Sequence, residues 1–167
     1  DIRFFNLLFN LYKDGLQAGL YIEQGNMNVH VFTGIVITSA TVGDFKWTET
    51  FINTYELKIE EKERKDAVLL AKAYLNYNLG KKTAGKDAGI YFQKAMTALL
   101  NIQHGQPDYE LRVRSLQLRI CYEYYLLIEK DDQLLTDFSK NFRQYLHNQD
   151  NRLAQARVQA YQDFIHY

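Results

Sequence analysis

Apolar residues recur along most of this chain at three- and four-residue spacing, the pattern of helices that bury one face. Phe4, Leu7, Leu8, Leu11 and Tyr12 predict a first helix that stops near Lys13-Asp14-Gly15, and Leu16 to Ile22 predicts a short second helix ending at Gln24-Gly25-Asn26. Between Val31 and Tyr55 two apolar runs fold back on each other at Gly43-Asp44-Phe45. Glycine there supplies left-handed backbone past one helix end, and aspartate caps the next helix. Residues 29–42 are rich in Val, Ile, Phe and Thr, which favour strands. Phe32, Ile35, Val36, Ser39 and Ala40 nonetheless share one helical stripe, with Gly34, Ser39 and Ala40 small enough for close helix approach. A helix is therefore expected here.

Downstream, Phe45, Trp47, Thr48, Phe51, Ile52 and Tyr55 form a helix thick with aromatics. The mixed-sign run KIEEKERKD, Lys58 to Asp66, reads as a solvated face or junction. Ala67, Leu70, Ala71, Tyr74, Leu75 and Tyr77 predict a long helix ending at Leu79-Gly80. After a polar loop its partner carries Tyr91, Phe92, Ala95, Met96, Leu99 and Ile102, stopped by His104-Gly105. Pro107 suits a first helical turn, followed by Asp108 and Glu110, whose charges favour the positive end of the helix. That helix runs through Val113, Leu116, Ile120, Tyr124 and Leu127. Asp131-Asp132 caps another on Leu135, Phe138, Phe142, Tyr145 and Leu146, and Asn151 opens a last one through Leu153, Ala156, Ala160, Phe164 and Tyr167.

The second helices of three successive hairpins centre on Phe51, Met96 and Phe142, a recurrence within the range of helical-hairpin solenoids. Such units are stable by stacking on their neighbours. The expected layout is one domain of hairpins at about 4–25, 29–57, 62–103 and 107–147 with a terminal helix at 151–167. Large and small residues in Phe32, Ile35-Val36, Ser39, Gly43-Asp44-Phe45, Thr48, Ile52 and Tyr55 follow an order that resembles the tetratricopeptide repeat. Leu70-Ala71 and Tyr74 repeat its middle, and Tyr91-Phe92-Gln93-Lys94-Ala95 looks like its second-helix start. The turns are longer than in that family and no unit has a closing proline. The resemblance implies an all-α fold, stacked antiparallel hairpins in a right-handed α-α superhelix, and a role in protein interaction.

Composition narrows the field. The 167 residues include 20 basic and 20 acidic side chains, a balance that argues against a general nucleic-acid binder or a polybasic membrane-surface protein. A single proline permits long helices, and 13 Tyr with 10 Phe suit thick helix packing. Cys121 is alone, so no internal disulfide forms, and an intracellular, cytoplasmic setting is expected. No apolar run reaches the ~18–20 residues of a membrane span, so no membrane insertion is expected. The opening Asp1-Ile2-Arg3-Phe4-Phe5 reads as if it starts inside a helix, which suggests a piece of a longer protein.

Catalytic motifs are thin. Gly80 to Lys86 spells GxxxxGK, most of a phosphate-binding loop, but Asp87 stands where a magnesium-holding Ser or Thr is needed and a helix, not a strand, is predicted before it. His30, His104, His147 and His166 are scattered without metal-ligand spacing. Ser39, Ser115 and Ser139 lack a nucleophile context. Neither an enzyme nor a bound cofactor is expected.

One polar constellation stands out. Lys65, Lys72 and Asn76 lie on one face of a helix, and Arg112, Arg119 and Glu123 repeat the same spacings later in the chain. In a stacked solenoid these helices line the concave surface, so the stripe, flanked by Tyr77, Tyr122 and Tyr125, is the candidate groove for an extended protein segment or its carboxylate. The expected function is a non-enzymatic interaction or scaffold module with a protein or peptide partner. The rival is a helical sensor domain that encloses a small apolar ligand or forms a homo-oligomer.

Overall fold

A computed structural model describes residues 1–103, 107–130, 132–149 and 155–166, and the side chains of all of these except 107, 108, 155–157 and 166. Among these residues the protein is all-α apart from one two-stranded turn, and the chain divides into two compact units, Asp1–Ile102 and Gln103–Tyr167.

The first unit opens with α1, Ile2–Gln17, capped by the Asp1 carboxylate, which accepts from the Arg3 N–H at 2.9 Å. Its inward face carries Phe9, with Phe5, Tyr12 and Leu16 half-buried beside it. The helix does not stop at Gly15. A Cβ at that position would come 2.6 Å from the Tyr21 ring, so this glycine is a seat for an aromatic side chain rather than a terminator. The expected second helix over Leu16–Ile22 does not form either. The chain turns at Gly19, with φ at 70°, and makes a small hairpin of β1, Ile22–Glu23, and β2, Asn26–Met27, paired Ile22 with Met27 and Glu23 with Asn26. Gln24 and Gly25, both left-handed at φ 49° and 84°, give the two-residue turn whose twist suits such strands.

Asn28 caps α2, Val29–Val42, accepting from His30 N–H at 2.8 Å. This segment is helical despite its β-branched residues because it is buried nearly all round: Phe32, Thr33, Ile35, Val36, Thr38, Ser39 and Ala40 are all inside. Gly43 ends it at φ 97°, its N–H donating to Ser39 O at 3.1 Å, and Asp44 accepts from Trp47 N–H at 3.3 Å to start α3, Phe45–Tyr55. The close α2–α3 approach rests on two small hydroxyl residues. Ser39 and Thr48 are fully buried with their hydroxyl oxygens 2.8 Å apart, and Thr48 also donates to Asp44 O.

A one-turn 3-10 helix, Glu56–Lys58, leads to buried Ile59 and then α4, Glu61–Lys82. Within the charge run, Arg64 holds the backbone in place. Its Nε and Nη2 donate to Ile59 O at 3.2 and 2.9 Å, locking the junction. Glu61 and Glu63 in the first turn and Lys81 and Lys82 in the last suit the helix dipole. A turn at Gly85 brings back α5, Lys86–Leu100. Helix α2 packs on α1, α3 and α4, and α4 packs in turn on α3 and α5. The core of this unit gathers Met27, Phe32, Ile35, Val36, Phe51, Ile52, Ile59, Ala67, Ala71 and Leu75.

The second unit holds α6, Pro107–Leu127, α7, Gln133–Asn148, and α8, Gln155–His166, with α7 packed on both of the others. The segment 151–154, where the last helix was expected to open, lies outside the described residues, as does Asp131 of the expected cap. Leu111, Leu118, Phe142, Leu146, Val158 and Ile165 form its core. Arg114 is held by Glu110 one turn earlier on α6, and its guanidinium lies 4.4 Å from the centre of the Tyr145 ring. Among the described residues no helix is long and apolar enough to cross a membrane.

Candidate interaction surfaces

The residues singled out in the sequence lie on two helices, one in each unit. On α4, Lys65 and Lys72 are exposed on one face, two turns or about 10 Å apart. Neither makes an ion pair among the described residues. Asn76, one turn further, is half-buried and donates to Lys72 O at 2.8 Å, so its amide is partly used by its own helix. Tyr77, expected at the edge of this face, is buried instead, its ring 6.3 Å from that of Phe92.

On α6, Arg112 and Glu123 are half-buried, and Tyr122 is exposed. Arg119 is exposed, yet its guanidinium sits 5.4 Å from the centre of the Phe164 ring of α8. Cation–π contact of this kind gives Arg119 a part in the packing of the second unit. Among the described residues the Lys65–Lys72 pair is thus an exposed part of the stripe with no ion-pair partner.

A groove that the sequence did not announce runs between α1 and α3. Lys13, Leu16, Gln17, Trp47, Thr50, Phe51, Thr54 and Tyr55 line about 270 Å³ of it. Its floor is an aromatic ladder at four-residue spacing: Trp47 and Phe51 stack at 5.3 Å, Phe51 and Tyr55 lie 4.9 Å apart, and Phe9 meets Trp47 edge-on at 4.8 Å. The spacing of Trp47, Phe51 and Tyr55 was legible, but it reads equally as core, and Trp47 and Tyr55 are in fact half-buried. A second, polar cleft of about 550 Å³ lies between the β1–β2 turn and the start of α4, where Glu23, Asn26, Asn28, Glu60 and Glu63 are among the lining residues. Lys62 already neutralises Glu60 at 2.9 Å.

The GxxxxGK stretch has none of the geometry of a phosphate loop. Gly80 to Lys82 are the last residues of α4, Thr83 donates its hydroxyl to Leu79 O at 2.8 Å, and Lys86 and Asp87 open α5. His30 and His147 are exposed, while His104 and the His166 side chain lie outside the described residues. Among the described residues no three His, Cys, Asp or Glu side chains come together as a metal site.

Cys121 is buried, and burial pushes its thiol up to about 12 from a reference of 9.0. The folded state holds the thiol neutral where the unfolded chain would ionise it. Its contribution to stability is complete below pH 9 and is lost between pH 9 and about 12, by up to about 1.4 kcal/mol per unit. Comparing pH-dependent unfolding of the parent with Cys121→Ala isolates this slope from that of other groups, and the slope is expected to flatten in the variant. Thiol reagents at neutral pH are expected to leave the folded chain unlabelled.

Compared with protein-family models, with curated proteins and with solved structures, the chain matches none.

Proposed function

We propose that this protein is a non-enzymatic interaction module, a divergent tetratricopeptide-like α-superhelix that holds an acidic protein segment against the exposed face of α4. The observation that carries the reading is the Lys65–Lys72 pair: two cations on one helix face, two turns apart, with no acidic partner of their own among the described residues. A segment in polyproline II conformation turns once every three residues and advances about 3.1 Å per residue, so carboxylates three residues apart face the same way and match the roughly 10 Å rise between the two lysine positions. The packing of α4 on both α2 and α3, with α5 returning alongside, supports the stacked-hairpin form. The α6 residues Arg112, Arg119, Tyr122 and Glu123 are the equivalent face of the second unit in this reading.

Fluorescence polarisation with peptides carrying Glu or Asp at three-residue spacing tests the site. Lys65→Ala with Lys72→Ala is expected to weaken binding about tenfold at low salt, with the difference shrinking as salt rises. Both lysines are exposed, so the double variant keeps its fold. A panel of acidic peptides with no binder, or binding indifferent to the double substitution, ends the proposal. Arg119 is a poor choice for the same experiment because its removal also disturbs α8.

A further inference from the structure

Helix α1 carries a second apolar stripe about 140° round the helix from the face it buries. Phe5, Phe9, Tyr12 and Leu16 turn inward, whereas Phe4, Leu7 and Leu11 form a second stripe that is 60, 71 and 62% exposed. A surface helix needs one apolar face, and three large side chains in a row on the other mark a contact site. Charges along the stripe indicate what covers it. Arg3 and Asp14 lie at opposite ends of the helix and flank the same edge of the stripe at 3.6 residues per turn. Between them are only Asn6 and Asn10 as polar side chains near the stripe, with no charge.

We infer that α1 of a second copy of this chain covers the stripe, antiparallel to the first. A two-fold axis between Leu7 and Leu11 sets Leu7 of each copy against Leu11 of the other and carries each Arg3 to the neighbourhood of the other copy's Asp14. A parallel pairing instead brings Arg3 level with Arg3 and Asp14 level with Asp14, so that neither gains an opposite charge. Arg3 is free to exchange partners, because its present contact to Asp1 is long, 3.4 Å, and its side chain is 88% exposed. Lys13 does not oppose the pairing, since its ammonium lies 4.5 Å from the centre of the Phe9 ring, away from the stripe. One helix stripe supplies roughly half of the ~800 Å² per partner of a standard interface, so the dimer is expected to dissociate on the order of 10 µM. The pairing uses no residue of the peptide site on α4, and either can fail without the other.

Sedimentation velocity from about 1 to about 200 µM spans the expected dissociation constant. The parent is expected to shift from monomer to dimer across that range, and Leu7→Glu with Leu11→Glu to stay monomeric with an unchanged circular-dichroism melt, because the inward face is untouched. Arg3→Glu alone and Asp14→Arg alone are each expected to weaken the dimer about fivefold, and the two together to restore it. A parent that remains monomeric, a glutamate double variant that still dimerises, or charge swaps that fail to rescue each other overturn the antiparallel α1 pairing. The rescue stays decisive even if the glutamate variant unfolds.

Discussion

Phe92→Ala is expected to lower the unfolding free energy of the first unit by about 3–5 kcal/mol, the range for deleting a fully buried aromatic ring. Phe92 is 0% exposed and its ring lies directly over Gly80, where an added Cβ would meet it at 2.6 Å. Helices α4 and α5 approach closely here because one contributes no side chain and the other a flat one. Removing the ring opens a cavity between the two helices, and that cavity adds to the lost burial. The reciprocal change tests the same contact from the other side. Gly80→Ala gains up to about 1 kcal/mol in helix propensity, but crowding Phe92 costs about 1–3 kcal/mol, and the variant is expected to be less stable than the parent. Combining Gly80→Ala with Phe92→Leu relieves the crowding, and a coupling of about 1 kcal/mol is expected between the two sites. Urea unfolding followed by fluorescence measures all of these, since the single tryptophan, Trp47, reports on the first unit alone. Additive effects would show that the α4–α5 contact is looser than the 2.6 Å approach requires.

Phe51→Ala is the second large effect, again about 3–5 kcal/mol. Phe51 is 3% exposed and joins three aromatic neighbours: Phe32 at 5.4 Å, Trp47 at 5.3 Å and Tyr55 at 4.9 Å. It therefore links α2 to the ladder that floors the α1–α3 groove. Its loss is expected to red-shift Trp47 emission, because Trp47 stacks on Phe51 at 8° between planes and would gain contact with water. Phe51→Leu keeps most of the volume and is expected to cost less than half as much. Equal losses for the two variants would mean that ring geometry, rather than burial, sets the cost, and an unshifted emission spectrum would mean that Trp47 does not depend on Phe51.

The turn at Gly43-Asp44 was legible because its physics is local. Left-handed backbone at one residue and a side-chain acceptor at the next depend on no distant neighbour, and both occur as expected, at φ 97° and through the Asp44 to Trp47 bond. Residues 29–42 were harder, since local propensity pointed to a strand while periodicity pointed to a helix. Burial on nearly every side decided for the helix. Gly15 shows the opposite failure. Its use as a seat for Tyr21 involves a side chain six residues away around a turn, and nothing at Gly15 itself distinguishes a seat from a stop.

The same division governs the candidate surfaces. That Lys65, Lys72 and Asn76 share a face follows from helical geometry alone. That Lys72 makes no ion pair among the described residues, that Asn76 turns back to its own backbone, and that Arg119 rests on Phe164 depend on rotamers and on residues distant in the chain. The outward stripe of α1 belongs to this class too. Phe4, Leu7 and Leu11 read in the sequence as an ordinary buried face, and only the packing of α1 on α2, with Tyr12 beside Gly34 and Phe9 against Trp47 of α3, leaves them outside.

By itself the sequence determined the helical class of this protein, the Gly43 turn and the faces on which its charges lie, because spacing and capping act within a few residues. Which of two apolar faces is buried, which glycine is a seat and which cation is free were decided only by the tertiary structure, since each depends on a neighbour that the chain brings in from elsewhere.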